Sequence, residues 1–140
     1  MDPLFETTER IGLEVPADVV RARAMARKLA GEIGFGAADQ TRLATAVSEI
    51  SRNVLQYAGK GVCEMEDISG DMDFSIRIVF TDHGPGIPDI SRAMQDGYST
   101  SGGLGCGLPS TRRLMDRFDI ESQPGLTRIT ITMTRKGVQA

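Results

Sequence analysis

Glu49 and Asn53 stand four residues apart, with Thr45 four before them, so a helix carrying them puts a carboxylate and an amide oxygen on one face. A glutamate so placed can polarise a hydroxyl or a water. The asparagine oxygen suits a hard cation such as Mg²⁺, which takes a few protein oxygens and fills its shell with phosphates and waters. The same spacing also fits a solvated helix face, because Glu and Asn are common there.

A second group is Asp82-His83-Gly84-Pro85-Gly86-Ile87, at the end of a strongly alternating segment. A strand that delivers Asp82 and at once enters a Gly-x-Gly turn sets a carboxylate at a sheet end. There Gly84 and Gly86 leave room for a flat ligand, and an adenine amino group is a natural donor to Asp82. An ordinary Asp-rich turn has the same composition.

The third group runs from Asp96 through Gly103-Leu104-Gly105-Cys106-Gly107-Leu108 into Pro109. Backbone N–H groups of a glycine-rich loop, followed by a helix N-terminus, form a phosphate-type anion site, and Pro109 suits the first helical turn. A plain surface loop is the alternative. The pattern is neither Walker, lacking Gly-Lys-Ser/Thr, nor Rossmann, lacking a strand directly before it.

These groups need positioning elements. Ile11, Leu13 and Val15 alternate within 9–15, a strand ending at Pro16. Val19, Ala22, Ala26, Leu29 and Ile33 recur at helical spacing over 17–33, and Leu43, Val47, Ile50, Val54 and Tyr57 do so over 37–58, with glycines at 34, 36 and 59 as stops. Strands are expected at 62–68 and 74–82, joined by a turn at 69–71. A short helix is expected at 89–94 and another at 108–117. Strands at 118–122 and 128–134 then flank a turn at Pro124-Gly125. The order implies an α+β two-layer sandwich with helices on one face of a mixed, mostly antiparallel sheet, the other face wet or meeting a partner.

At 140 residues, 40% apolar, the chain suits a single domain spanning 1–140. With 16 Lys+Arg against 19 Asp+Glu, the net charge of -3 argues against nucleic acid, and no polybasic or long apolar run argues for a membrane. The opening residues MDPLFETTER lack a signal-peptide pattern, so a cytoplasmic protein is expected. Cys63 and Cys106 do not form a C-x-x-C pair and are expected to be reduced thiols, and the only histidine, His83, lacks neighbours for a metal site.

Taken in order, Glu49-x-x-x-Asn53, Asp82-x-Gly84-x-Gly86 and Gly103-x-Gly105-x-Gly107 resemble the N, G1 and G2 boxes of the GHKL (Bergerat-fold) ATPase/kinase superfamily. Within it, the runs 34–36, 45–61, 96–109 and 113–116 are similar to the serine/threonine kinases of bacterial stressosomes, over nearly the full chain. That resemblance implies that ATP and Mg²⁺ are the cofactors, that Glu49 assists phosphoryl transfer, that Asn53 holds Mg²⁺, that Asp82 recognises adenine, and that the segment through Leu108 forms the ATP lid. Family members often carry Gly-x-Gly-Thr before the last strand, whereas this chain has Pro124-Gly125-Leu126-Thr127, so Thr127 is a looser match. Cys106 is an unusual lid residue.

The resemblance leaves several functions to separate. A histidine kinase needs a phosphoacceptor histidine on a dimerisation helix, and His83 sits in the adenine loop. Gyrase-type and MutL-type ATPases need a following transducer domain. A stand-alone serine/threonine kinase is expected to phosphorylate STAS-domain antagonist and scaffold proteins and then to activate a PP2C-type phosphatase by binding it. The alternative is an anti-sigma factor that holds an alternative sigma factor in an ATP-dependent complex.

Overall fold

A computed structural model describes residues 8–87 and 108–137. Strand β1 (Thr8–Leu13) leads into helix α1 (Pro16–Ile33), followed by α2 (Ala37–Ala58), β2 (Gly61–Asp67) and β3 (Asp73–Asp82). Helix α3 (Leu108–Leu114) and the hairpin β4 (Arg117–Gln123) and β5 (Leu126–Lys136) complete the order. The five strands form one sheet in the order β1-β2-β3-β5-β4. Every neighbouring pair is antiparallel, so the sheet is not mixed.

Local chemistry explains the boundaries. Pro16 opens α1 rather than merely ending the strand, since a first-turn residue has no N–H bond to lose. Asp18 folds back so that its carboxylate accepts the N–H groups of Glu14 at 2.9 Å and Val15 at 3.1 Å, and these bonds hold its carboxyl below the usual range. Helix α2 has the bounds expected from its apolar stripe, with Gly59 at its end in a positive-φ conformation (φ 85°). Pro124-Gly125 makes the tight β4–β5 turn, and Gly125 takes φ 93° there.

Alternation in the strands sends one set of side chains to the helices. Leu13, Cys63, Met65, Ile76, Ile78, Phe80, Ile131 and Met133 are fully buried with Leu43, Val47 and Ile50 of α2. Burial at this density contributes roughly 1.5–3 kcal/mol per large side chain relative to exposure. Cys63 lies inside this core, where burial pushes its thiol up and leaves it a small hydrophobe. Tyr57 departs from the expected stripe: it is 46% exposed, while Val54 is buried and Leu55 packs against the core. The expected helix at 89–94 lies outside the described residues.

Candidate functional site

The register of β3 and β5 places Asp82 directly opposite Thr127. Both belong to the helix-facing set and are nearly buried, at 8% and 5% exposure. Asp82 Oδ1 accepts the N–H of Gly84 at 3.0 Å, an Asx-type bond that turns the chain sharply out of the strand. A carboxylate has acceptor capacity well beyond one such bond. The Thr127 hydroxyl lies 2.7 Å from that of Ser122 on β4, which also accepts the N–H of Ile87 at 2.7 Å. Sequence reasoning passed over Ser122. Its signal was a hydroxyl on the core-facing side of a strand, which needs a polar neighbour.

The two glycines after Asp82 serve packing within the protein. A Cβ on Gly84 would stand 2.6 Å from Cβ of Ala58, and one on Gly86, where φ is 85°, would stand 2.7 Å from the carbonyl oxygen of Gln123. They bring the loop against the end of α2 and against the β4–β5 turn. Gly125 donates its N–H to the Gly84 carbonyl at 2.9 Å, and His83 Nδ1 lies 3.1 Å from the Gly125 carbonyl. The loop residue His83 thus fastens the turn.

Glu49 and Asn53 lie on the flank of α2, both partly exposed beside the buried stripe. Arg52 donates to Glu49 Oε1 at 2.9 Å from the adjacent turn, a partly exposed pair of small energetic weight. Asn53 lies five residues before Ala58, the residue against which Gly84 packs. Helical rise puts it about 7.5 Å along the axis from that contact and Glu49 about 13.5 Å from it. Helix α2 packs on α1 and on α3, the helix that opens at Leu108. Leu108 itself is buried in the core, while Gly103, Leu104, Gly105, Cys106 and Gly107 lie outside the described residues.

The other end of α2 is fastened differently. Arg135, near the end of β5, donates to both carboxylate oxygens of Asp39 in the first turn of α2, at 2.9 and 2.8 Å. The same guanidinium reaches Asp116, between α3 and β4, at 2.8 Å. Arg42 adds a 2.8 Å contact to Asp39. The hydrogen bond from Arg135 is the main reason the Asp39 carboxyl is held below the usual range.

Among the described residues, no group of three or more His, Cys, Asp or Glu side chains is arranged to hold a metal ion. The Asn53 amide offers one neutral oxygen of the kind a hard cation takes alongside phosphates and waters. A shallow depression lined by Glu64, Glu66, Arg77, Arg128 and Thr130 lies on the opposite, open face of the sheet, away from Glu49, Asn53 and Asp82.

A buried carboxylate and hydroxyl at a sheet end, with Glu and Asn on the flank of α2, belong here to a two-layer α+β domain. Residues 14–133 match the histidine kinase-like ATPase domain family, and the chain belongs to it. The serine/threonine-protein kinase RsbT of Bacillus subtilis (strain 168) is 50% identical over 108 residues, 77% of this chain and 81% of that protein, which puts the chain among the serine/threonine protein kinases of the family. The fold is also that of the RsbU and RsbW domains of Rv1364c from Mycobacterium tuberculosis, with TM-score 0.65 and 20% identity. That match covers 99% of this chain but only 35% of the larger one. The mycobacterial sensor histidine kinase MprB gives TM-score 0.55 at 17% identity, over 95% of this chain and all of that one.

Proposed function

We propose that this chain is a cytoplasmic, single-domain ATP-dependent kinase of a partner-switching module. It phosphorylates a Ser or Thr of STAS-domain antagonist or scaffold proteins and, once released, activates a PP2C-type phosphatase by binding it. The observation that carries the nucleotide half of this reading is the pairing of buried Asp82 with Thr127 at the sheet end below α2. Its kinship with RsbT carries the choice of acceptor. Among the described residues, no helix is long and apolar enough to cross a membrane.

In this mechanism Asp82 accepts the adenine amino group, and Thr127, oriented by Ser122, adds a hydroxyl beside it. Asn53 holds Mg²⁺, which when bound neutralises charge on the phosphates. Glu49 orients the incoming Ser or Thr hydroxyl and takes its proton. Phosphoryl transfer passes through a loose transition state, so these residues act mainly by position. Gly103, Gly105 and Gly107 offer N–H groups to the phosphates, Leu104 and Cys106 belong to the same lid, and Leu108, buried in the core, marks where it ends.

The test is incubation of the purified chain with labelled ATP and STAS-domain proteins. Label on a STAS Ser or Thr supports the reading. No transfer, together with co-purification of a sigma factor, points instead to an anti-sigma binding module.

A further inference from the structure

We infer that Arg135 is a positioning residue for phosphoryl transfer: by clamping Asp39 to β5 it fixes the angle of α2 and hence the reach of Glu49. This rests on the kinase reading above. Helix α2 is held to the sheet at two ends by unlike contacts. At its C-terminal end Ala58 packs against Gly84 so closely that no side chain fits between them. At its N-terminal end the fastener is the forked Arg135–Asp39 contact, made by the strand that also carries Thr127.

The two fasteners have different consequences if lost. With the Arg135 fork removed, α2 pivots about its Ala58 end, and displacement grows with distance from that end. Glu49, about 13.5 Å away by helical rise, moves nearly twice as far as Asn53 at about 7.5 Å. Asp82 and Thr127 stand on strands paired through a continuous ladder and do not move with the helix. Loss of the fork therefore separates transfer from base recognition. The buried stripe of Leu43, Val47, Ile50 and Val54 limits the swing to a fraction of a side chain. A misplacement approaching 1 Å still costs up to about 100-fold in rate.

Asp116 provides the internal comparison. It touches the same guanidinium at 2.8 Å and accepts the Thr134 N–H at 2.8 Å, but it ties the α3–β4 junction to β5 and makes no bond to α2. Asp116→Asn leaves the Asp39 fork in place.

The experiment measures single-turnover transfer to a STAS-domain protein at saturating ATP, ADP affinity by calorimetry, and thermal unfolding, for the parent, Arg135→Met, Arg135→Lys and Asp116→Asn. Expected are a rate loss of about tenfold or more in Arg135→Met with ADP affinity within about threefold, and partial recovery in Arg135→Lys, which keeps the charge without the fork. Asp116→Asn is expected to stay within about threefold of the parent rate. A parental rate in Arg135→Met, ADP affinity falling as far as the rate, or an equal rate loss in Asp116→Asn overturns the clamp. If Arg135→Met does not fold, a parental rate in Arg135→Lys overturns it. A parent that transfers nothing strikes the kinase reading and this inference together, whereas an active parent matched by Arg135→Met strikes the clamp alone.

Discussion

Asp82 faces Thr127 across the β3–β5 ladder, with both side chains on the helix side and the Ser122 hydroxyl 2.7 Å from that of Thr127. A carboxylate and a hydroxyl so confined form a small polar niche in an apolar layer. Asp82 already accepts the Gly84 N–H, and a carboxylate has further acceptor capacity, which the function proposed above assigns to an adenine amino group.

Asp82→Asn is therefore expected to weaken ATP and ADP binding by about 10- to 150-fold, the loss of a charge-assisted bond worth roughly 1.5–3 kcal/mol. The substitution keeps the size and can still accept the Gly84 N–H, so the turn survives. Calorimetric titration with ADP checks it, and unchanged affinity would remove Asp82 from the nucleotide site.

Gly84→Ala is expected to destabilise the fold. Its new methyl would meet Ala58 at 2.6 Å from Cβ and 2.9 Å from Cα, and backbone cannot give way as a flexible side chain does. Overpacking of this kind costs about 1–3 kcal/mol, or roughly 3–12 °C in melting temperature for a chain this size. Because the same contact sets the loop after Asp82, ADP affinity falls as well. Melting within a degree of the parent would show that the loop has room to shift.

The Arg135 fork also predicts an acid response. Asp39 is faced by Arg135 and Arg42, with Asp116 on the far side of the Arg135 guanidinium, and the net effect lowers its carboxyl in the folded state. A lowered folded value means stability that is present above the unfolded value of about 3.9 and lost as pH falls through the folded one. The stability gap between the parent and Asp39→Asn is expected to hold steady from about pH 7 to pH 5 and to shrink below about pH 4. Urea unfolding at matched pH values measures the gap. A gap unchanged to about pH 3 would show that Asp39 does not titrate as its contacts require.

What the sequence made legible follows the range of the interactions. The bounds 37–58 of α2 could be read because its stripe and its flanking glycines are local signals, and Asp82 could be placed because β3 alternates cleanly. Period two says nothing of strand direction, so the fully antiparallel sheet emerged only from the pairing. Tyr57 fitted the helical period but is 46% exposed. Arg135 and Asp39 are 96 residues apart, and neither has a neighbour that marks it as half of a clamp. The Gly84–Ala58 contact is hidden for the same reason: a glycine after an aspartate reads equally well as a turn, a ligand cradle or a packing point.

Glu49→Gln is expected to separate binding from transfer. Glutamine keeps the length and an oxygen that can still accept from Arg52, whose present contact to Glu49 Oε1 is 2.9 Å, so the local structure of α2 persists. It cannot take a proton at neutral pH, and phosphorylation of a Ser or Thr is expected to fall by roughly 10²–10⁴ if Glu49 is the base. A loose transition state pulls that loss toward the lower end, because the hydroxyl proton leaves late. ADP affinity should stay within about threefold, since Glu49 stands some 13.5 Å of helical rise from the Ala58 end where the Asp82 niche lies. The measurement is single-turnover transfer to a STAS-domain partner at saturating ATP, with Glu49→Ala alongside. If the Gln variant transfers at the parental rate while the Ala variant does not, Glu49 orients the hydroxyl without accepting its proton; if both match the parent, the proton is taken by another group.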